Sequence, residues 1–124
     1  MYVNKELNWL REFEKYDVYV WGGGIKGQTC IKKLLDYGIN VKGCFDNNAS
    51  LHNSKICDGV NIYNPGIDGY EKLKNKKAYI VICISFEREI SEQLLEESIS
   101  NFVSFYKLDF GGGVEFYPST KIQL

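Results

Sequence analysis

Residues 17–46 read DVYVWGGGIKGQTCIKKLLDYGINVKGCFD, and the order of residue types in this stretch decides the fold. Val18, Tyr19, Val20 and Trp21 form a short β-branched and aromatic run, the composition of a strand. Gly22, Gly24 and Gly27 follow with G-x-G-x-x-G spacing, which between a strand and a helix is the turn that receives a dinucleotide. The first glycine permits the tight turn, the second lets a phosphate approach the backbone, and the third lets the helix pack close to the strand. Gly23 lies inside the same turn. Beyond it Cys30, Ile31, Leu34 and Leu35 recur at helical spacing, and Gly38 ends the helix. Residues 41–45 then read as a second strand with Asp46 at its carboxyl end. An acid about 20 residues beyond the glycines accepts hydrogen bonds from ribose hydroxyls. The whole stretch is a βαβ unit.

Outward from this unit, residues 4–13 place Leu7, Leu10 and Phe13 at intervals of three with Asn4 as a cap. This predicts a short amphipathic helix that covers an edge or face of the sheet, or serves as a lid or partner surface. Residues 47–55 are polar and predict a loop over the mouth of the sheet. Ile56, Val60 and Ile62 around Gly59 predict a short extended segment rather than a full strand. Asn64 and Pro65 suit the start of a short helix carrying Ile67, Tyr70 and Leu73 inward, although Gly66 and Gly69 weaken it. Residues 78–85, AYIVICIS, are almost continuously apolar, as a strand buried on both faces should be. A helix over 86–100 and a strand over 102–106 follow. Residues 114–117 predict an antiparallel edge strand or a flexible end, limited by Pro118.

Strands alternating with helices specify an α/β fold: a Rossmann-like parallel sheet with helices on both faces. The expected organisation is an amino-terminal helix over 1–15, a nucleotide-binding domain over 16–110 and an extension over 111–124. In such sheets ligands sit beyond the carboxyl ends of the strands, where the strand order reverses. That gathers Gly22, Gly23, Gly24, Lys26, Gly27, Asp46, Asn47 and Ser85 around one crevice.

With 124 residues, the chain is most simply one domain with a real core. Fifteen Lys and Arg stand against 16 Asp and Glu. A net charge so near zero argues against a nucleic-acid partner held by bulk electrostatics and leaves any anion site to local geometry. No apolar run is as long as a membrane span, and the first residues are too charged for a secretory signal, so a cytoplasmic location is expected. The four cysteines, Cys30, Cys44, Cys57 and Cys83, are spaced too widely for C-x-x-C chemistry. They read as free thiols acting as small apolar side chains, and no metal is expected.

Each candidate has a plainer alternative. Lys26 opposes the helix dipole unless a phosphate balances it, and it is equally a solvated lysine. Asp46 reads as a ribose acceptor in competition with a turn former, and Ser85 as a sugar or phosphate contact in competition with a helix cap. Tyr19 and Trp21 read as core rather than as base-stacking rings. Tyr70 and Lys74 match the Y-x-x-x-K pair of short-chain dehydrogenases, but at the wrong place in the strand order, so no catalytic residue is assigned. His52 reads as a surface residue.

The segments VYVWGGGIKG, VKGCFDNN, ICDGV and AYIVICIS, followed by ISNFVSFY, resemble the Rossmann-like amino-terminal domains of bacterial sugar acyltransferases and polysaccharide-biosynthesis dehydratases. The resemblance implies a nucleotide-linked sugar, with its diphosphate at Gly22, Gly24 and Gly27 and its nucleoside near Asp46. Lys26 stands where the acyltransferases often carry a histidine, and neither the hexapeptide-repeat domain nor a dehydratase half is present. What the resemblance implies is therefore a binding module for a UDP-linked sugar in surface-glycan metabolism, not catalytic alone, with a homo-oligomer or a catalytic domain as partner. Two alternatives stand beside it: an NAD(H)-binding oxidoreductase or redox-sensing domain, and an assembly domain without ligand.

Overall fold

The computed structural model describes residues 8–108. Helix α1 (Asn8–Phe13) leads into β1 (Asp17–Trp21), and α2 (Ile25–Asp36) crosses to β2 (Val41–Phe45). Strands β3 (Lys55–Ile56) and β4 (Val60–Tyr63) follow, then a π-helical turn (Pro65–Gly69) running into α3 (Tyr70–Leu73). Strand β5 (Ala78–Ile82), helix α4 (Glu87–Glu96), strand β6 (Phe102–Ser104) and a 3-10 turn (Phe105–Lys107) complete it. The strand order is β3-β4-β2-β1-β5-β6, with every pairing parallel except β3 with β4.

Side chains alternate across the sheet and so divide the core in two. Val18, Val20, Val41, Cys44, Ile62, Val81 and Cys83 face α1 and α2, where they meet Phe13, Cys30, Ile31 and Leu34. Trp21, Phe45, Ile80 and Ile82 face α3 and α4, where Leu73, Ile90 and Leu94 cover them. Burying each of these large side chains contributes roughly 1.5–3 kcal/mol. Trp21 is fully buried and Tyr19 packs beside it, so both rings belong to the core and not to a base-stacking platform.

The two long helices end alike. In LLDYGI (34–39) the amides of Gly38 and Ile39 donate to Leu35 O and Leu34 O. In LLEESI (94–99) those of Ser98 and Ile99 donate to Leu95 O and Leu94 O. Both are Schellman stops, in which the residue beyond the cap takes a left-handed conformation. Gly38 has φ 83° and Ser98 has φ 64°.

Several expectations shift. Strands β3 (Lys55–Ile56) and β4 (Val60–Tyr63) form a β-hairpin, and β4 pairs in parallel with β2 through Cys44↔Ile62 and Phe45↔Tyr63. The isolated apolar residues belong to a true sheet strand, with Ile62 buried between neighbours. The antiparallel edge is β3. The edge strand expected over 114–117, and the first residues of the helix expected over 4–13, lie outside the described residues. The helix expected from Asn64 and Pro65 begins instead as a π turn, with the Asn64 side chain accepting from Gly66 N.

Candidate functional site

Strand β1 lies between β2 and β5, and the strand order runs outward from it on one side through β2 and β4 and on the other through β5 and β6, so the crevice opens above its carboxyl end. Here the backbone turns from β1 into α2. Gly22 N donates to Phe45 O at 2.8 Å, and its φ of 135° is one that L side chains rarely adopt. A Cβ on Gly27 would collide with the carbonyl oxygen of Gly22, which is the close helix-to-strand approach expected of the last motif glycine. A Cβ on Gly24 would meet nothing within 4 Å. Gly24 also caps α2 without a side chain, and the first turn holds no acid, so no protein carboxylate competes for its amides.

A cleft of about 370 Å³ opens on this turn, bounded by Gly22, Gly24, Ile25, Lys26, Gly27, Asp46, Asn48, Leu51, Cys83, Ile84, Ser85 and Phe86. Ile25 and Phe86 stand at its rim with 81% and 50% of their surface exposed, unusual for large apolar side chains. Lys26 Nζ reaches across to donate to Ser85 Oγ at 3.1 Å and lies 6.0 Å from the centre of the Tyr106 ring. Two residues from separate β-to-α turns therefore meet over the mouth. A second cavity, of about 280 Å³, lies among Phe13, Tyr16, Asp17 and Ile39 at the amino ends of β1 and β2, away from the glycine turn.

Asp46 is 6% exposed and held from two sides. Its Oδ2 accepts from Gly23 N at 2.7 Å and its Oδ1 from Asn48 N at 2.8 Å. Each carboxylate oxygen retains a second lone pair, so the group both shapes the loop and can accept from a ligand. Gly23 lies behind the cleft, its amide committed to Asp46. Asn47 turns away: its side-chain amide pairs reciprocally with that of Gln93 on α4, at 2.9 and 3.2 Å, and Gln93 also donates to Tyr70 OH at 2.7 Å.

Beneath the turn lie three thiols. Cys44 donates to Gly22 O at 3.2 Å and Cys83 to Lys26 O at 3.1 Å, one near each end of the turn. Burial, with the Asp46 charge behind it, pushes the Cys44 thiol up to about 12. Burial also raises Cys30. Cys83 is lowered instead, by a hydrogen bond from Cys30 and by the Tyr106 hydroxyl and the Lys26 charge, against the cost of burial.

Sequence reasoning missed His52 and Gln93. His52 is half-buried and donates from Nε2 to the carbonyl of Asp46 at 2.6 Å, so it fastens the loop and is not the surface residue expected. A lone histidine six positions past the acid carries no sequence signal of that contact, nor does Gln93. Tyr70 and Lys74 do not act as a pair: Tyr70 bonds Gln93, whereas Lys74 pairs with Glu97 at 3.5 Å. No group of metal-binding side chains occurs among the described residues, and no helix among them is long and apolar enough to cross a membrane.

With this geometry in hand, the family model of the C2185-like N-terminal domain matches residues 14–102. The chain belongs to the C2185-like family. No curated protein matches its sequence. Among solved structures, the C2185-like chain is similar to RSP, a Rex-family repressor, at 24% identity and TM-score 0.57, covering 75% of this chain and 46% of that one. The complex of RSP with beta-NADH matches at 23% identity and TM-score 0.56, covering 78% and 50%. That with beta-NAD+ and operator DNA matches at 18% and 0.57, covering 94% and 62%. At such identities the likeness shows the fold, and the C2185-like chain spans about half to three-fifths of the length of these neighbours.

These neighbours overturn one expectation. A net charge near zero argues against a nucleic-acid partner, yet a protein of this fold is solved on operator DNA. Phosphate contacts are local, and a sum over the whole chain does not speak for them. The resemblance to sugar acyltransferases and dehydratases finds no support among these matches.

Proposed function

We propose that this domain binds a dinucleotide of the NAD(H) class in the cleft above the glycine turn. The observation that carries the reading is the contrast between two glycines of one turn. Gly27 is closed against Gly22, whereas the space beside Gly24 is open toward the uncapped start of α2. A diphosphate fits that opening, held by first-turn amides with Lys26 supplying the countercharge. Asp46 accepts from the ribose hydroxyls, and its neighbours Asn47 and Asn48 are neutral, so nothing beside it balances the charge of a 2′-phosphate. Ile25 and Phe86 supply apolar walls. That solved neighbours of this fold hold beta-NADH and beta-NAD+ supports NAD(H) over a UDP-linked sugar, which would share the diphosphate and ribose contacts.

In this reading the chain senses or holds the dinucleotide and performs no chemistry by itself. Catalysis needs an acid, base or nucleophile within hydrogen-bond reach of the reacting atom. Lys26, Asp46 and Ser85 serve binding, and residues 16–110 form the binding unit. Titration calorimetry with NAD+, NADH, NADP+ and UDP-sugars tests this. NAD+ or NADH should bind, NADP+ more weakly, and Gly24→Val should abolish binding while leaving the circular dichroism spectrum unchanged. Failure of every phosphate-bearing ligand would replace the reading with that of an assembly domain. Turnover of NAD(H) or a nucleotide-sugar, followed by mass spectrometry, would overturn the non-catalytic part.

A further inference from the structure

Ser85 reads in the sequence as a ligand contact or as the cap of the helix that follows it, and the structure removes the second role. The cap position of α4 is Phe86, with no side-chain hydrogen bond, and Glu87 and Glu89 in the first turn answer that end of the helix dipole. The Ser85 hydroxyl instead accepts from Lys26 Nζ at 3.1 Å, a contact across 59 positions of sequence that ties the turn after β5 to the first turn of α2. Of the described residues that border the cleft, Lys26 is the one cation. The ion pairs among the described residues, Lys15 with Glu12 and Lys74 with Glu97, leave it out.

We propose that Ser85 is a positioning residue of the anion site: it holds the Lys26 ammonium over the mouth of the cleft, and its effect on a dinucleotide passes through that charge rather than through a contact of its own. The inference rests on the NAD(H) reading. Two physical arguments support it. A lysine in the first turn of α2 is pushed outward by the dipole of its own helix, so the ammonium stays near the mouth only where another element draws it across. The Ser85 oxygen does so by a hydrogen bond, and the Tyr106 ring, centred 6.0 Å from Nζ, adds the weaker attraction of its face. An ammonium released into solvent is screened within a few ångströms, and an anion on the glycine turn then feels little of it.

A double-mutant cycle in the full chain tests this, with titration calorimetry of NAD+ and of inorganic pyrophosphate. Lys26→Met should weaken both ligands about tenfold or more and flatten the dependence of binding on salt. Ser85→Ala should weaken them about threefold to tenfold and change the salt dependence in the same sense. In the Lys26→Met background, Ser85→Ala should cause no further loss. Ser85→Thr, which keeps the accepting oxygen, should restore the affinity of the parent. Losses that multiply in the double variant would make Ser85 a ligand contact in its own right and overturn the proposal. So would parental affinity in Ser85→Ala. If the parent binds no dinucleotide, the underlying reading fails separately, and nitrogen-15 relaxation of the Lys26 ammonium in the ligand-free chain, assigned by its absence in Lys26→Met, decides the rest. A group freer in Ser85→Ala than in the parent upholds the hold, and equal mobility overturns it.

Discussion

Gly23 N donates to Asp46 Oδ2 at 2.7 Å, joining the middle of the glycine turn to the end of the neighbouring strand. The contact is buried and links the ends of β1 and β2, whose register puts Trp21, two positions before Gly23, opposite Phe45, one position before Asp46. The two features to which the proposed reading assigns the diphosphate and the ribose are thus one hydrogen-bonded unit.

Asp46→Ala is expected to leave the amides of Gly23 and Asn48 without their partner. An unsatisfied buried donor costs about 1–3 kcal/mol, so the urea midpoint should fall by that order. The same variant should bind NAD+ and NADP+ alike, because the carboxylate that repels a 2′-phosphate is gone. Calorimetry with the two ligands measures the ratio. An unchanged preference for NAD+ in Asp46→Ala would confine this residue to shaping the loop.

Gly27→Ala and Gly24→Ala should separate fold from binding. The first forces a methyl group into the carbonyl of Gly22 and should cost about 3 kcal/mol. The second places its methyl in open space and should leave thermal unfolding within about 0.5 kcal/mol of the parent, while weakening dinucleotide binding. Differential scanning calorimetry beside ligand titration distinguishes the two.

Ser98 holds the left-handed position that Gly38 holds at the end of the other helix. A non-glycine residue there costs about 1–2 kcal/mol, so Ser98→Gly should raise stability by roughly 1 kcal/mol, offset in part by the greater freedom of the unfolded chain. The reverse exchange, Gly38→Ser, should lower it by a like amount. Chemical unfolding of both variants reads the pair.

Cys44 titrates from its ordinary 9.0 up to about 12 in the folded chain, so the native state keeps a proton that the unfolded state releases. Its contribution is therefore complete below pH 9 and lost as pH rises from 9 toward 12, at up to about 1.4 kcal/mol per pH unit. Urea midpoints measured across that window should fall, and Cys44→Ser, which has no thiol to ionise, should flatten the slope.

The βαβ unit was legible because each of its signals is local: a strand composition, a glycine spacing, a helical period and an acid at the next strand end. Strand β5 was legible from its continuous apolar run. Strand β4 was not, because only Ile62 of its four residues is fully buried and its pairing with β2 depends on contacts 18 positions apart, such as Cys44 with Ile62. The site divides similarly. Gly22, Gly24, Gly27 and Asp46 follow from spacing, whereas the turning away of Asn47 depends on Gln93, which reaches it only after the chain has folded across the sheet. Lys26 with Ser85 was legible in part: both were placed at the crevice, but their contact needs the measured 3.1 Å.

The loop after β2 is fastened before any ligand enters, by His52 on Asp46 O, by Gln93 on Asn47, and by Asn48 Oδ1 accepting from Ser50. Its loss of disorder therefore accompanies folding, and a ligand does not bear the roughly 0.5–1.5 kcal/mol per side chain that ordering during association would require. Free and bound forms should differ little along this wall, and association should follow a single exponential whose rate rises linearly with ligand concentration.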